Sequence, residues 1–210
     1  MMRTALFDIF RTFFLYILLC MGVFLMASTI IRYTAFSDHV AFLNEKQDYV
    51  GITHWKIAFY IHVFSSIFTL MAGFTQFSAS LQKHYKKLHR FIGKLYIIDI
   101  LVINFPAALI MAWYANGFLP SKIAFFILDG LWFWFTLKAF LEAKKGNIRL
   151  HKEYMIRSYA LTLSAVGLRT WKLILSNSFT IDPVVLYMID AWLGFVPNLL
   201  IAEYLIRRKK

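Results

Sequence analysis

Residues 13–31 read FFLYILLCMGVFLMASTII, a run without a single charge. About 20 such residues are what a helix needs to cross the roughly 30 Å hydrocarbon layer of a bilayer. The run is longer than the apolar region of a secretory leader, and no small-x-small site closes it. Leu19 ahead of Cys20 also argues against a lipidation site. The segment therefore reads as a transmembrane helix that stays in the protein. Five more stretches of similar character follow, which places helices at about 12–33, 55–80, 90–115, 120–142, 152–176 and 183–206. The expected fold is all-α: one integral membrane domain, 1–210, of six transmembrane helices, with no internal repeat and no linker.

Composition agrees. The 210 residues are 60% hydrophobic, 19% aromatic and 16% charged, whereas a soluble domain is nearer half apolar and a quarter charged. A soluble enzyme, a disordered chain, collagen and a disulfide scaffold are all excluded. Cys20 is the only cysteine, so there is no internal disulfide and no cysteine-based metal site. Inside its apolar run it is expected to be a small core residue.

The formal net charge is +12, which in a soluble protein would suggest nucleic acid. The positions of the charges argue otherwise. Arg3 and Arg11 precede the first helix. Lys83, Lys86, Lys87, Arg90 and Lys94 lie around the second connection. Lys138, Lys144, Lys145, Arg149, Lys152 and Arg157 lie around the fourth, and Arg207, Arg208, Lys209 and Lys210 end the chain. Seventeen of the 23 basic residues thus gather on one side, leaving Arg32, Lys46, Lys56, Lys122, Arg169 and Lys172. Short cytoplasmic loops hold the excess of Lys and Arg, so both termini are expected in the cytoplasm. The lipid bilayer, not nucleic acid, is the expected partner of this charge. The connection 34–54, with Asp38, Glu45, Asp48 and several aromatics, is expected to cap the outer face.

Residues 3, 4, 7 and 11 apart share a helix face. One stripe of the second helix reads His62, Ser66, Thr69, Gly73, Gln76, Ser80. The fifth helix gives His151, Ser158, Thr162, Ala165, Arg169, and the third gives His89, Gly93, Tyr96, Ile100, Ile103, Ala107. Small and hydroxyl residues of this kind line helix–helix interfaces, and packing accounts for Gly73, Gly93 and Ala165. It does not account for His62, Gln76 and Arg169, because polar and ionisable groups at depth are costly and are usually paired or functional.

Depth groups the ionisable residues. His62, Asp129, Arg169 and Asp190 lie seven to nine residues from the outer ends of four helices, or roughly 10–14 Å deep at about 1.5 Å per residue. Arg169 is expected to pair with Asp129 or Asp190, with His62 nearby, since a buried arginine needs a carboxylate. This polar layer is either a structural ion pair or a ligand, quinone or proton site. At the other end His89 opens the third helix and His151 the fifth, with Gln76, Arg90 and Arg157 at similar height. Two facing imidazoles are the minimal ligand set of a b-type haem, although histidines at a basic membrane boundary also contact lipid phosphate or cap helices. Asp99, near the bilayer centre, reads as a protonated core acid or part of a proton path. His39, His54 and His84 read as loop residues. There is no phosphate-binding glycine loop, HExxH or nucleophile elbow, and no metal site is expected. Pro106 and Pro197 interrupt the third and sixth helices.

Three pieces in order carry a resemblance: His62 followed by Gln76, HRFIGKLY at 89–96, and HKEYMIRSYALTLSAVGLR at 151–169. Together they resemble an uncharacterised bacterial inner-membrane family, a domain of unknown function (number twenty-three hundred and six). The resemblance covers roughly residues 55–175. Tyr154 stands where the family pattern has Trp, and the first and last helices match only in hydropathy. The resemblance implies a multi-pass bundle in the bacterial cytoplasmic membrane and singles out His62, Gln76, His89, Gly93, Tyr96, His151, Arg157 and Arg169, with no activity attached. A looser architectural similarity is to membrane cytochromes b. Two functional readings follow. One is membrane electron transfer, with a haem b on His89 and His151 or a quinone near His62 and Arg169, where Gln76 and Arg157 complete the candidate cofactor-binding set and a redox partner or membrane complex is implied. The other is a transporter or small-ligand-binding protein that uses the His62, Asp129, Arg169, Asp190 layer. A structural or accessory subunit is the third possibility.

Overall fold

Large apolar side chains on every long helix point away from the protein. Phe24, Ile57, Met71, Phe91, Val102, Trp113, Trp134, Leu173 and Leu200 are all exposed, which water would penalise and lipid does not. The computed structural model describes residues 2–208. Lys209 and Lys210 lie outside the described residues, as do the side chains of Arg3 and Arg11. Among the described residues there are helices and no strands: an all-helical membrane bundle.

The helices are α1 (Met2–Tyr33), α2 (Thr53–Gln76), α3 (Ala79–His84), α4 (Lys86–Ile98), α5 (Phe105–Trp113), α6 (Phe118–Lys144), α7 (Ile148–Thr162), α8 (Ser164–Ser178), α9 (Pro183–Leu193) and α10 (Val196–Arg207). A 3-10 turn, Ala41–Lys46, lies between α1 and α2, and a π-helical segment, Asp99–Asn104, joins α4 to α5. Four continuous stretches are long and apolar enough to cross a membrane: Thr53–Gln76, Lys86–Trp113, Phe118–Lys144 and Pro183–Arg207. They correspond to the second, third, fourth and sixth stretches read from the sequence. Within α1, Leu19–Tyr33 forms a shorter apolar helical run.

The irregular points have local causes. Pro106 has no N–H to offer the carbonyl four residues back, and its ring crowds that carbonyl. The helix widens just before it, where the Phe105 N–H reaches the Ile100 carbonyl. Gly146, in the left-handed region at φ +77°, ends α6. Its N–H bonds the Ala143 carbonyl at 3.1 Å and the Asn147 N–H bonds the Glu142 carbonyl at 2.9 Å, the pattern of a Schellman stop. Asn147 then caps α7 by accepting from the Leu150 N–H. This tight corner lays α6 against α7, the most extensive helix pair in the bundle. Buried Thr136, Ala139 and Ser158 at the seam let the backbones approach.

The fifth stretch differs from its reading. It breaks at Leu163 into α7 and α8, so His151 and Arg169 do not share one unbroken helix. α7 packs against α6 and α10, whereas α8 packs against α9 and α1. A side chain at Gly167 would strike the Gly194 carbonyl, and one at Gly194 would strike Leu168. α8 and the junction between α9 and α10 therefore meet at two glycines. Cys20 also departs from expectation, as it is exposed. Among the described residues α1 packs mainly on α2, α8 and the 3-10 turn, and several of its side chains, Phe13, Met21 and Phe24 among them, are exposed.

Candidate functional site

Near the 34–52 connection lies a cavity of about 380 Å³ between α1, α2, α5, α6, α7, α8 and α9. Small-molecule sites run about 300–1,000 Å³. The wall is mostly apolar, with Met26, Phe59, Leu70, Leu128, Trp132 and Leu161 among its residues. Into this wall the structure brings all four residues of the polar layer: His62 from α2, Asp129 from α6, Arg169 from α8 and Asp190 from α9.

Their bonding is sparse. His62 Nδ1 is buried and has no hydrogen-bond partner. Asp190 is 7% exposed and its Oδ1 is likewise buried without a partner. Asp129, 6% exposed, has no hydrogen bond or ion pair among the described residues. The expected pairing of Arg169 with Asp129 or Asp190 is not formed. Arg169 instead turns back along its own helix, and Nη1 donates to the Ala165 carbonyl at 2.9 Å. An arginine carries five N–H donors, and the other four meet no protein acceptor among the described residues. Buried polar groups are ordinarily satisfied, so a cavity ringed by unsatisfied ones has room and bonding capacity for a guest.

Part of the 34–54 connection lies against this cavity. Tyr33, Leu43, Trp55 and Phe59 are buried together, with Trp55 stacked on Phe59 at 5.6 Å. This cluster seats the 3-10 turn over the opening, and Ala41, Phe42, Glu45 and Lys46 themselves line the cavity. Lys46 was not singled out from the sequence, yet it is 2% exposed. Its ammonium donates to the Tyr114 carbonyl at 2.7 Å and to Asn116 Oδ1 at 2.8 Å. Burial pushes its pKa down to about 8, with Lys122 acting the same way and Glu45 opposing. Asn116 Nδ2 returns a bond to the Glu45 carbonyl at 2.9 Å. Lys172 of α8 holds Glu45 Oε1 at 2.6 Å. The cap is thus tied to the α5–α6 connection and to α8.

The other candidate residues lie at the opposite end and do not line the cavity. Gln76 follows His62 by fourteen residues, about 21 Å along the helix, so the candidate cofactor set is divided. Gln76 is buried and donates through Nε2 to the His89 carbonyl at 3.2 Å. A side chain on Gly93 would press on Gln76 Oε1, which accounts for glycine there. His151 Nδ1 donates to the Ala139 carbonyl at 2.8 Å, and His89 Nδ1 is buried without a partner. Arg157 is engaged by Glu203, Nε to Oε1 at 2.5 Å and Nη2 to Oε2 at 3.0 Å. Its guanidinium also lies over the Phe135 and Tyr154 rings. The loop histidines are local: His54 meets the Tyr114 hydroxyl at 2.9 Å and His84 the Ser80 carbonyl. Among the described residues, no group of three or more His, Cys, Asp or Glu could hold a metal.

Between the two ends lies a layer of interlocked hydroxyls. Tyr96 Oη is 2.9 Å from both Ser158 Oγ and Thr162 Oγ1. Trp132 Nε1 donates to Thr162 Oγ1 at 3.1 Å, and Thr136 Oγ1 is 2.7 Å from Ser158 Oγ. Every member is buried. Thr162 and Trp132 form the cavity floor. Asp99 is separate from this layer; its Oδ2 accepts from Asn104 Nδ2 at 3.0 Å.

The family model described as "Predicted membrane protein (DUF2306)" matches residues 59–206. The matched stretch contains His62, Asp129, Arg169 and Asp190, and extends past the 55–175 of the sequence resemblance into α9 and α10. The 3-10 turn and α1 precede it. No curated protein and no solved structure matches the chain.

Proposed function

The chain belongs to this family of membrane proteins, and from that premise we propose that it is a small-ligand-binding protein of the bacterial cytoplasmic membrane. It is one domain that crosses six times, with both termini in the cytoplasm and the 34–52 connection outside. The ligand is largely apolar and carries oxygen acceptors at one end, the class to which quinones belong. The observation that carries the reading is the state of Arg169. It lines a cavity of about 380 Å³ with a single internal hydrogen bond and no carboxylate partner, beside the unpartnered His62 Nδ1 and Asp190 Oδ1. A ligand oxygen would take the arginine donors, and charge-assisted bonds of this kind contribute about 1.5–3 kcal/mol each. The test is mass spectrometry of small molecules extracted from protein purified in native lipid patches. A ligand retained by the wild type and lost from Arg169→Gln supports the reading; an identical extract from both removes it.

One observation favours a second reading, a b-type haem between His89 and His151. The Ala139 carbonyl can only accept, so His151 carries a proton on Nδ1; the neutral form of the ring then has its lone pair on Nε2, the arrangement of an iron-ligating imidazole oriented by a carbonyl. Electron transfer would then be the activity. A Soret band in the purified protein that disappears in His89→Ala and His151→Ala supports it, and its absence from protein expressed with haem supply rejects it.

A further inference from the structure

We infer that the capped end of the cavity is a subsite for a singly charged oxyanion head group, a carboxylate or a phosphate diester, whose apolar tail lies toward Trp132. The inference rests on the ligand reading above and adds the charge and direction of the ligand. Cations reach the wall at this end from two separate elements: Lys46 from the 3-10 turn, and Arg169 and Lys172 from α8. Lys172 is spent on Glu45. Lys46 is not, because its two hydrogen bonds go to a carbonyl and an amide oxygen, both neutral. Arg169 has only the Ala165 carbonyl. Buried Lys46 and partly buried Arg169 thus stand without a carboxylate in ion-pair contact among the described residues, and a charge withdrawn from water is expensive until paired.

The two acids set a limit on the guest. Asp129 and Asp190 line the same cavity and neither is ion-paired among the described residues, so each added negative charge on a guest raises the cost of ionising them, and a single charge seated between Arg169 and Lys46 asks least of them. Asp190 Oδ1, nine-tenths buried and unpartnered, can accept from a head-group hydroxyl. The floor offers nothing comparable. There Leu70, Leu128 and Leu161 surround the Trp132 and Thr162 side chains, whose polar atoms are already bonded to each other. A tail belongs at that end and a head at the other.

The test uses the full chain in nanodiscs of zwitterionic lipid and follows tryptophan fluorescence, since Trp55 and Trp132 line the cavity. The probes are dodecanoate, methyl dodecyl phosphate, dodecanol, dodecyltrimethylammonium and a short-tailed benzoquinone. The expected result is that one of the two anions binds at least tenfold more tightly than dodecanol. That advantage should be lost in Arg169→Gln and in Lys46→Met, while dodecanol binding, which reports an intact cavity, persists in both. The anion that binds tighter distinguishes a carboxylate from a phosphate head. Equal affinity for anion and alcohol, or a preference for the ammonium or the benzoquinone, overturns the inference and leaves the ligand reading standing. A fluorescence signal unmoved by every probe overturns both.

Discussion

The two ends of this bundle use the same kinds of residue to opposite effect. At the end opposite the cap, Arg157 is gripped by Glu203, Gln76 bonds the His89 carbonyl, and His151 bonds the Ala139 carbonyl. At the capped end, Arg169 has one bond to its own helix, and Asp129, Asp190 and His62 face a void. One arginine has committed its donors to a carboxylate; the other, among the described residues, has not. Residue type at depth does not separate these roles. Unspent hydrogen-bonding capacity beside empty volume does, because a satisfied buried pair has little left to offer a guest.

Several substitutions would break or sharpen this contrast. The largest effect is expected from Arg157→Met, which removes the two-point contact between Arg157 and the partly buried Glu203 carboxylate. Loss of one partner of such a pair costs about 3–5 kcal/mol when buriedness is complete, so a lowering of the unfolding free energy by about 2–3 kcal/mol is expected in detergent denaturation. Arg169→Gln should leave that free energy within about 0.5 kcal/mol. An equal loss in both variants would erase the distinction between the two ends. Next is Tyr96→Phe, which removes one hydroxyl shared by Ser158 and Thr162. A drop of about 1–2 kcal/mol is expected with ligand affinity unchanged; a change in affinity alone would move the hydroxyl layer from scaffold to site.

A smaller effect concerns pH. Burial lowers the Lys46 ammonium to about 8, so it is charged below that value and neutral above it. Anion affinity should therefore fall severalfold as pH rises from about 7 to about 9. Lys172 and Glu45 stand nearby but are paired with each other. The pH dependence should disappear in Lys46→Met, and its survival there would assign the titration elsewhere. The smallest effect is expected from Glu45→Gln. The Glu45–Lys172 pair is nearly half exposed, and exposed pairs contribute about 0–1 kcal/mol. The thermal midpoint should hardly move, while faster ligand dissociation would show the pair acting as a clasp on the cap.

What the sequence revealed, and what it hid, follows from range. Depth along a helix is fixed by about 1.5 Å per residue, so counting inward from Trp55, Pro120, Ser176 and Pro183 was enough to bring His62, Asp129, Arg169 and Asp190 to one level, and they do line one cavity. Counting does not say what a side chain bonds. The expected ion pair of Arg169 fails because its guanidinium folds back on Ala165. The Arg157–Glu203 pair, closed by partners 46 positions apart, was not visible, and Arg157 read as a cofactor residue instead. Lys46 looked like an ordinary loop lysine. Its burial is made by Tyr114 and Asn116, about seventy positions away. Pro106 announced an interruption, and the widened turns before it are the local response. The break at Leu163 has no proline or glycine at its own position, and it arises where α7 and α8 take different neighbours.

Native mass spectrometry of the intact protein released from lipid patches asks whether the cavity holds a molecule. A wild-type population with a bound small molecule of discrete mass is expected, absent from Arg169→Gln and retained in Tyr96→Phe. Wild-type protein that emerges bare under conditions gentle enough to keep bound phospholipid would contradict the ligand reading, as would an adduct indifferent to Arg169.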